Sequence, residues 1–269
     1  MKNSRTAVGA LALSVCSLVS AQVAAPPAPE LVQAGALTYG TAATVAPFEY
    51  MENGKLTGFD IDMAALLAKQ LKLEPKPMNM EFKGLIPALS SGRIDVINSA
   101  MYITEVRKQQ VDFVPYMSIG NEIVVRKGNP KKITGREGIC GFKVAVTLGG
   151  FQETYARADS KRCQDAGKPA VDVMTFPTSQ DSVLSLSQSR VDAFFIQTPT
   201  AAKLISERPD TFEIVGETFG ADTTVGLAVA KNRPALRDAL AKALEAVTKD
   251  GSLAAVARKY SIPESSLSH

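Results

Sequence analysis

The chain has 269 residues, 45% of them hydrophobic and 21% charged, which is enough for one large domain or two modest ones with buried cores. The formal net charge is +3 and no basic tract stands out, which argues against a nucleic-acid partner. The only histidine is His269, so we expect no metal site and no bound cofactor.

Residues 1–21 are typical of a secretory signal peptide, with a basic start and a short apolar stretch over 7–19. A membrane anchor needs about 18 or more apolar residues, and this stretch is shorter. Small residues predict cleavage near Ala21 or Ala25, and the Pro/Ala-rich sequence that follows predicts a tether over 22–36. We therefore expect a protein that is exported to the periplasm.

Cys16 raises the alternative that the N-terminus carries a lipid. The run Leu13-Ser-Val-Cys16 resembles a lipid-attachment site, although Val15 is a poor residue directly before the cysteine. Cleavage of the signal peptide removes Cys16 and leaves two cysteines in the mature chain.

Strands and helices alternate through the first half of the mature chain. We predict strands over 37–41, 77–82 and 95–98, and helices over 59–71 and 85–91. The helix over 59–71 is predicted from its apolar residues, which recur at helical spacing.

Arg107 occupies a position that suits anion binding. It lies just inside a short predicted helix that follows the buried strand over 95–98. Ligands of open α/β sheets lie beyond the carboxyl ends of the strands. A guanidinium at that place can bind a carboxylate through two parallel hydrogen bonds. The sequence therefore predicts a site for a small carboxylate that includes Arg107.

The second half continues the alternation of strands and helices. We predict strands over 143–146, 171–175 and 191–196, and helices over 151–158, 180–189 and 199–207. Alternation of this kind predicts an α/β fold with parallel sheets and helices on both faces.

Cys140 and Cys163 flank the predicted strand over 143–146 and the helix that follows it. Two cysteines in an oxidising compartment predict one disulfide, which would brace the start of the second half. The alternative is a pair of free thiols.

Two β-rich stretches, over 122–126 and 224–230, each resemble a strand that crosses between two α/β units. Amphipathic helices over 232–249 and 252–260 follow the second crossing and can return to cover the first unit. We expect lobe 1 over 37–120 and 222–269 and lobe 2 over 121–221.

A series of short motifs occurs in a fixed order between residues 37 and 260. They are Pro47-Phe-Glu, Gly54-Lys-Leu-Thr-Gly-Phe-Asp-Ile-Asp62, Phe82-Lys-Gly-Leu-Ile-Pro-Ala-Leu89, Ile103-Thr, Arg107, Val111-Asp-Phe113, Gly149 before a helix, Arg190-Val-Asp-Ala193 and Val225-Gly-Leu-Ala-Val229. In this order they resemble the amino-acid-type extracytoplasmic solute-binding proteins of ABC importers, the bacterial solute-binding family 3. The resemblance implies the type II periplasmic binding protein fold, whose two lobes are joined by two crossing strands and close on a ligand.

The family's binding residues can be carried over to positions of this chain. Arg107 matches the residue that grips the ligand's α-carboxylate, and Ala100 matches the residue whose carbonyl accepts from the α-ammonium. Phe82 matches an aromatic ring that stacks on the ligand side chain. Gly149 and Gly150 open a helix whose N–H groups can bind the other side of the carboxylate.

The chain also departs from the family pattern at its predicted site. The departures are Ala42 for a polar residue, Val45 for an aromatic lid, Tyr102 for Thr or Ser beside the ammonium, Gly150 and Phe151 for threonines at the helix start, and Gln197 for an acid that pairs with the ammonium. Burying an ammonium without a countercharge costs several kcal/mol. We therefore expect a carboxylate ligand other than a plain zwitterionic amino acid, such as an aromatic acid, a keto acid or an N-substituted amino acid.

Some of these residues have simpler explanations. Tyr102 could belong to the core of lobe 1, Phe151 could be a packing residue at a helix start, and Gln197 could still accept from an ammonium through its amide oxygen.

An enzymatic alternative comes from the same fold family, in which periplasmic dehydratases act on cyclic carboxylates such as cyclohexadienyl substrates. Elimination needs a placed general acid or base. The nearest candidates are Glu49 and Glu81, and we expect both to be solvated. We therefore predict a binding protein without catalytic residues. It would work as a monomer and pass a small carboxylate to an ABC-transporter permease.

Overall fold

The computed structural model describes residues 31–268. The predicted signal peptide, Cys16 and residues 22–30 of the predicted tether lie outside this range. The last residues of that tether pack against the first lobe, where the backbone N–H of Val32 donates to Asp95 Oδ1 at 2.7 Å and Gln33 forms a β-bridge with Ala36.

The described residues form strands and α-helices in alternation. The strands are β1 (Ala36–Thr41), β2 (Thr44–Val45), β3 (Glu49–Glu52), β4 (Lys55–Thr57), β5 (Glu74–Asn79), β6 (Val96–Ile97), β7 (Val111–Ser118), β8 (Asn121–Arg126), β9 (Lys143–Thr147), β10 (Asp172–Phe176), β11 (Ala193–Gln197), β12 (Phe212–Phe219) and β13 (Thr224–Ala230). The helices are α1 (Phe59–Leu71), α2 (Leu85–Ser90), α3 (Glu105–Lys108), α4 (Phe151–Asp165), α5 (Ser179–Ser187), α6 (Thr198–Glu207), α7 (Pro234–Lys249) and α8 (Ser252–Lys259).

Two five-stranded sheets give the protein its two lobes. Lobe 1 has the strand order β5-β1-β6-β13-β7, and lobe 2 has the order β10-β9-β11-β8-β12. A small antiparallel sheet, β2-β3-β4, joins lobe 1. The α/β class and the two-lobed architecture expected from the sequence are confirmed.

Each large sheet is mixed, whereas the sequence predicted parallel sheets. In lobe 1, β1 is parallel to β5 and β6, while β13 is antiparallel to β6 and β7. In lobe 2, β9 is parallel to β10 and β11, while β8 is antiparallel to β11 and β12. The antiparallel strands β8 and β13 are the ones that arrive from the other lobe. They enter at the edge where the parallel strands end, so they must run in the opposite direction.

Helices cover both faces of each sheet, as the alternation predicted. In lobe 1, helices α1, α7 and α8 bury one face, and the short helix α2 buries the other. In lobe 2, Ile123 and Val125 of β8 pack on the α4 side, while Val124 between them packs on the side of α5 and α6. This alternation of faces along one strand divides each lobe into two apolar layers.

The chain crosses between the lobes twice over very short distances. Strand β7 ends at Ser118 and β8 begins at Asn121, while β12 ends at Phe219 and β13 begins at Thr224. The two crossings are hydrogen-bonded to each other, because the N–H of Ile119 donates to the carbonyl of Thr223 at 3.0 Å. The stretches predicted to cross are thus sheet strands that begin directly after each crossing.

A disulfide joins Cys140 to Cys163, with their Cα atoms 5.6 Å apart, which confirms the predicted pairing. It ties helix α4 to the segment before β9. Beside it, the guanidinium of Arg136 binds both carboxylate oxygens of Asp159 on α4, at 2.9 and 2.8 Å. The start of lobe 2 is therefore held by a covalent bond and a bidentate ion pair together.

Candidate ligand-binding site

A cleft lies between the two lobes, at the carboxyl ends of their parallel strands. Seven of the nine residues predicted to bind ligand line it: Val45, Phe82, Ala100, Tyr102, Gly150, Phe151 and Gln197. The other two, Arg107 and Gly149, are hydrogen-bonded to each other. The free volume inside the cleft is about 20 Å³, room for roughly one water molecule. An amino acid fits only after the lobes or their side chains move apart.

Arg107 reaches from lobe 1 towards lobe 2. Thr104 caps its one-turn helix α3 by accepting from the Arg107 N–H at 3.2 Å. The guanidinium Nη1 donates to the Tyr102 carbonyl at 2.7 Å, and Nη2 donates to the Gly149 carbonyl at 3.0 Å. Burial lowers the pKa of Arg107 to about 10, so the group stays charged at neutral pH. Because both partners are neutral carbonyls, a carboxylate would be a stronger partner than either.

Phe82 lies beside this arginine. It begins a short 3-10 turn before α2, and the Arg107 Cζ atom is 5.4 Å from the centre of its ring. The ring of Tyr102 pairs with that of Phe151 across the cleft, at 5.1 Å between ring centres.

Tyr102 is buried, and its hydroxyl is directed at the first crossing between the lobes. That hydroxyl lies 3.0 Å from Asn121 Oδ1 and 3.2 Å from the Gly120 carbonyl. Asn121 Oδ1 also accepts from Gln152 Nε2 of helix α4 at 2.7 Å. Burial raises the pKa of Tyr102, so the phenol stays protonated. Its ring lines the cleft while its hydroxyl belongs to a network that joins both lobes at the crossing.

Gly149 and Gly150 do not offer the N–H groups that the sequence assigned to the ligand. The Gly149 N–H donates to Glu153 Oε2 at 2.9 Å, and the Gly150 N–H donates to the Thr147 carbonyl at 2.9 Å. Glu153 is in the first turn of α4, where the helix dipole stabilises a carboxylate. A side chain of the protein thus takes the place that was predicted for the ligand's carboxylate.

Gln197 ends strand β11 and precedes helix α6, so its side chain lies at the carboxyl edge of the lobe 2 sheet. Ala42 and Val45 face it from lobe 1. Among the described residues that line the cleft, none is acidic. The guanidinium of Arg107 brings a positive charge to the border of the cleft through its bonds to Tyr102 and Gly149.

Glu49 was expected to be solvated, and that expectation is wrong. Its side chain is fully buried in lobe 1, where Ser99 Oγ donates to Oε1 at 2.8 Å. Glu81, by contrast, is exposed and pairs with Lys83 at 3.1 Å. The sequence could not separate the two, because burial of Glu49 depends on side chains far away along the chain.

Five polar residues that line the cleft were missed at the sequence level: Thr44, Ser99, Thr147, Gln152 and Ser179. Ser99 and Thr147 stand at or next to the ends of strands β6 and β9. Because ligands bind beyond the carboxyl ends of such strands, their positions carried a usable signal.

Within residues 31–268, no group of His, Cys, Asp and Glu side chains is arranged to hold a metal ion. In the same range, no helix has the length and apolar character needed to cross a membrane.

The sequence matches the family model of the bacterial extracellular solute-binding proteins, family 3, over residues 37–263. It is 32% identical over 228 residues to the L-cystine-binding protein TcyJ of Escherichia coli strain K12, covering 84% of this chain and 82% of that protein. It is 31% identical over 232 residues to the histidine-binding periplasmic protein of the same strain, covering 82% of this chain and 85% of that protein.

Solved structures show the same architecture. An ancestral arginine-binding protein bound to arginine superposes with a TM-score of 0.77 at 41% identity, covering 84% of this chain and 98% of that one. The ancestral amino-acid-binding protein AncCDT-1, a precursor of cyclohexadienyl dehydratase, superposes with a TM-score of 0.71 at 32% identity, covering 84% of this chain and 95% of that one.

Proposed function

This chain belongs to the bacterial extracellular solute-binding proteins of family 3, and we propose that it is the periplasmic binding component of an ABC importer. It would bind an amino acid or a related small carboxylate between its two lobes and present the closed form to a permease. Relatives that bind cystine and histidine, one of them periplasmic, support this function and the predicted export.

The observation that carries the proposal is the position of Arg107. Its guanidinium lies at the border of the cleft, belongs to lobe 1 and donates to a carbonyl of lobe 2. A carboxylate that replaces the Gly149 carbonyl would gain a charge-assisted hydrogen bond. Arg107 is thus suited to bind a ligand and to join the lobes around it.

The lining residues bear on the class of ligand. A zwitterionic amino acid brings an ammonium into a cleft whose described lining has no acid, with Gln197 where family members place one. The amide oxygen of Gln197 and the carbonyl of Ala100 could accept from an ammonium, but neither supplies a negative charge. We therefore propose a ligand in which the carboxylate dominates recognition, with keto acids, aromatic acids and N-substituted amino acids as candidates beside the common amino acids.

A dehydratase is the second candidate, favoured by the similarity to AncCDT-1. Elimination needs a general acid or base within reach of the substrate. The described lining of the cleft supplies no Asp, Glu, His or Lys, and the phenol of Tyr102 is engaged at the crossing. These observations support a binding protein without catalytic turnover.

A ligand screen tests the proposal. The mature protein is heated with amino acids, N-substituted amino acids, keto acids and aromatic acids, and each compound that raises the melting temperature is titrated by calorimetry. We expect at least one carboxylate to bind with one-to-one stoichiometry. Stabilisation by none of them would contradict the proposal, and conversion of a cyclohexadienyl carboxylate to its elimination product would favour the dehydratase.

A further inference from the structure

Two carboxyl groups are buried together directly behind the lobe 1 wall of the cleft. Glu49 on β3 and Asp60 on α1 both have 0% exposed surface, and each carboxyl group shifts the pKa of the other, so the two groups lie close together. Among residues 31–268, neither forms a salt bridge with a lysine or arginine. Two buried negative charges without a cation would be strongly unfavourable.

The two donors around Asp60 favour its ionised form. Tyr116 donates its hydroxyl to Asp60 Oδ1 at 2.9 Å, and the backbone N–H of Ala100 donates to Asp60 Oδ2 at 2.7 Å. A carboxylate accepts at both oxygens, whereas a protonated carboxyl would direct its own O–H towards one of these donors.

The surroundings of Glu49 favour its protonated form. Its Oε1 accepts from Ser99 Oγ at 2.8 Å, but its buried Oε2 has no donor within the described part of the protein. An unpaired buried carboxylate oxygen is costly, and a proton on Oε2 would turn it into a donor for Asp60.

We propose that Glu49 and Asp60 share one proton, that it resides on Glu49 Oε2 and is donated to Asp60, and that this bond holds the lobe 1 wall of the cleft in shape. Three residues of that wall depend on the pair. The Ala42 N–H donates to Ser99 Oγ at 3.0 Å, Ser99 donates to Glu49, and Ala100, held by Asp60, has a positive φ of 39°.

The pair should therefore position the backbone that faces a ligand. This role in binding rests on the proposed function, whereas the shared proton does not.

The other titratable groups near the pair leave the proton in place. Tyr39 and Tyr116 have raised pKa values, caused mainly by burial and secondly by Asp60, so both phenols stay neutral. Asp62, on the same helix, is engaged by Lys259 and Tyr260 at 2.6 and 3.0 Å. Burial raises the pKa of Asp60 to about 6, and burial together with Asp60 raises that of Glu49 well above its usual range.

The sign of the pH dependence follows from these directions. The folded pair keeps protons that the unfolded chain releases above about pH 4.5, so folding takes up protons. The contribution of the pair to stability is fully present below that pH and is lost as the pH rises through the raised pKa values of the folded state.

Infrared spectroscopy of the protein at pH 7 tests the shared proton directly. A neutral carboxylic acid has a carbonyl stretching band apart from those of carboxylates and amides. We expect this band in the wild type and in Glu52→Gln, a control on the exposed end of β3, and expect it to be absent from Glu49→Gln. A wild type without the band, or a band that remains in Glu49→Gln, would overturn the proposal.

Denaturant unfolding between pH 5 and pH 8 tests its energetic consequence. Glu49→Gln places an amide donor where the proton would be. This variant should therefore fold, and its stability should lack the pH dependence that the shared proton causes. One proton corresponds to an approximately tenfold change of the folding constant per pH unit. Relative to Glu49→Gln, the wild type should lose stability as the pH rises, and equal pH profiles would contradict the proposal.

Asp60→Asn tests which of the two carboxyl groups carries the proton. Its amide nitrogen must face the Ala100 N–H or the Tyr116 hydroxyl, so we expect the folding constant to fall at every pH. A neutral effect of Asp60→Asn combined with a harmful Glu49→Gln would reverse the proton assignment and overturn it. These unfolding measurements need no ligand, so their failure is distinct from failure of the ligand screen.

Discussion

Arg107 places a single positive charge at the border between the lobes, and the described lining of the cleft brings no acid to balance it. A partly desolvated cation of this kind favours an anionic partner more strongly than an exposed arginine would. The same residue bonds to Tyr102 within lobe 1 and to Gly149 in lobe 2. Arg107 is thus one of the side chains that connect the lobes, and we propose that the same side chain recognises a carboxylate.

Gln197 is the residue at which ligand charge can be tested. Gln197→Asp adds a carboxylate to the cleft, which should improve binding of an amino acid relative to its deaminated analogue by about tenfold or more, because opposite charges attract strongly at short range in such a site. Calorimetry with both ligands measures the ratio of the two dissociation constants.

Gln197→Asn is the matched control, since it changes the length of the side chain without adding charge, and it should leave that ratio close to the wild-type value. If the wild type binds a common amino acid at submicromolar strength and does not bind the deaminated analogue, the proposal that the carboxylate dominates recognition is wrong.

Single residues were predictable from the sequence where a local motif fixed them. Arg107 and Phe82 could be placed at or beside the cleft because each stands in a recognisable motif beyond a strand. Glu49 could not be placed, since its burial depends on contacts with Ser99 and Asp60 that lie 50 and 11 positions away. The N–H group of Gly149 was assigned to the ligand, whereas in the structure it donates to Glu153 four residues further along the chain.

At the scale of elements, the clearest periodicities gave the best boundaries. Helix α1 has the bounds that its apolar spacing predicted, and so does strand β13. Strand β5 was predicted at 77–82 but occupies Glu74–Asn79, so it begins three residues earlier and includes Pro75 as well as Pro77. It is an edge strand, where prolines are tolerated since no neighbour needs their missing N–H groups.

At the start of lobe 2, the disulfide joins the segment before β9 to helix α4, so the stability of this region depends on a covalent link. Replacing both Cys140 and Cys163 with alanine opens a loop of 23 residues in sequence separation. In the chain-entropy account, we expect the free energy of unfolding to fall by about 3 kcal/mol. Denaturant unfolding of the oxidised wild type and of the double variant measures the difference.

Reductant supplies the control for this comparison. It should lower the stability of the wild type towards that of the double variant and leave the variant unchanged. Two alkylatable thiols in periplasmic material would show that the bond does not form in the cell, against the prediction.

The molecule as a whole consists of two packed lobes with two short crossings between them. Neither crossing has a helix or a long loop, and they contact each other through Ile119 and Thr223. Tyr102 and Gln152, from opposite lobes, meet at Asn121 beside the first crossing. A motion that separates the lobes therefore has to break few polar contacts at the hinge, as expected for hinged closure around a ligand.

Spin labels at Met51→Cys in lobe 1 and Leu184→Cys in lobe 2 report this motion, because both positions are exposed. With ligand, the distribution of distances between the labels should narrow to a single closed distance. Labels at Met51→Cys and Val106→Cys, both in lobe 1, form the control pair and should not respond. If the distribution of distances between the labels in the two lobes stays unchanged at saturating ligand, closure of the lobes is contradicted.

The central claim is that Arg107 binds the carboxylate of the ligand, and a thermodynamic cycle tests it most directly. The best ligand of the screen and its carboxamide are titrated by calorimetry into the wild type and into Arg107→Lys, which keeps the charge but loses the planar fork. We expect Arg107→Lys to weaken carboxylate binding by about 2 kcal/mol or more and to have a much smaller effect on the carboxamide, so that the two changes are coupled. Additive losses, or an unchanged dissociation constant for the carboxylate in Arg107→Lys, would remove Arg107 from the site and contradict the account.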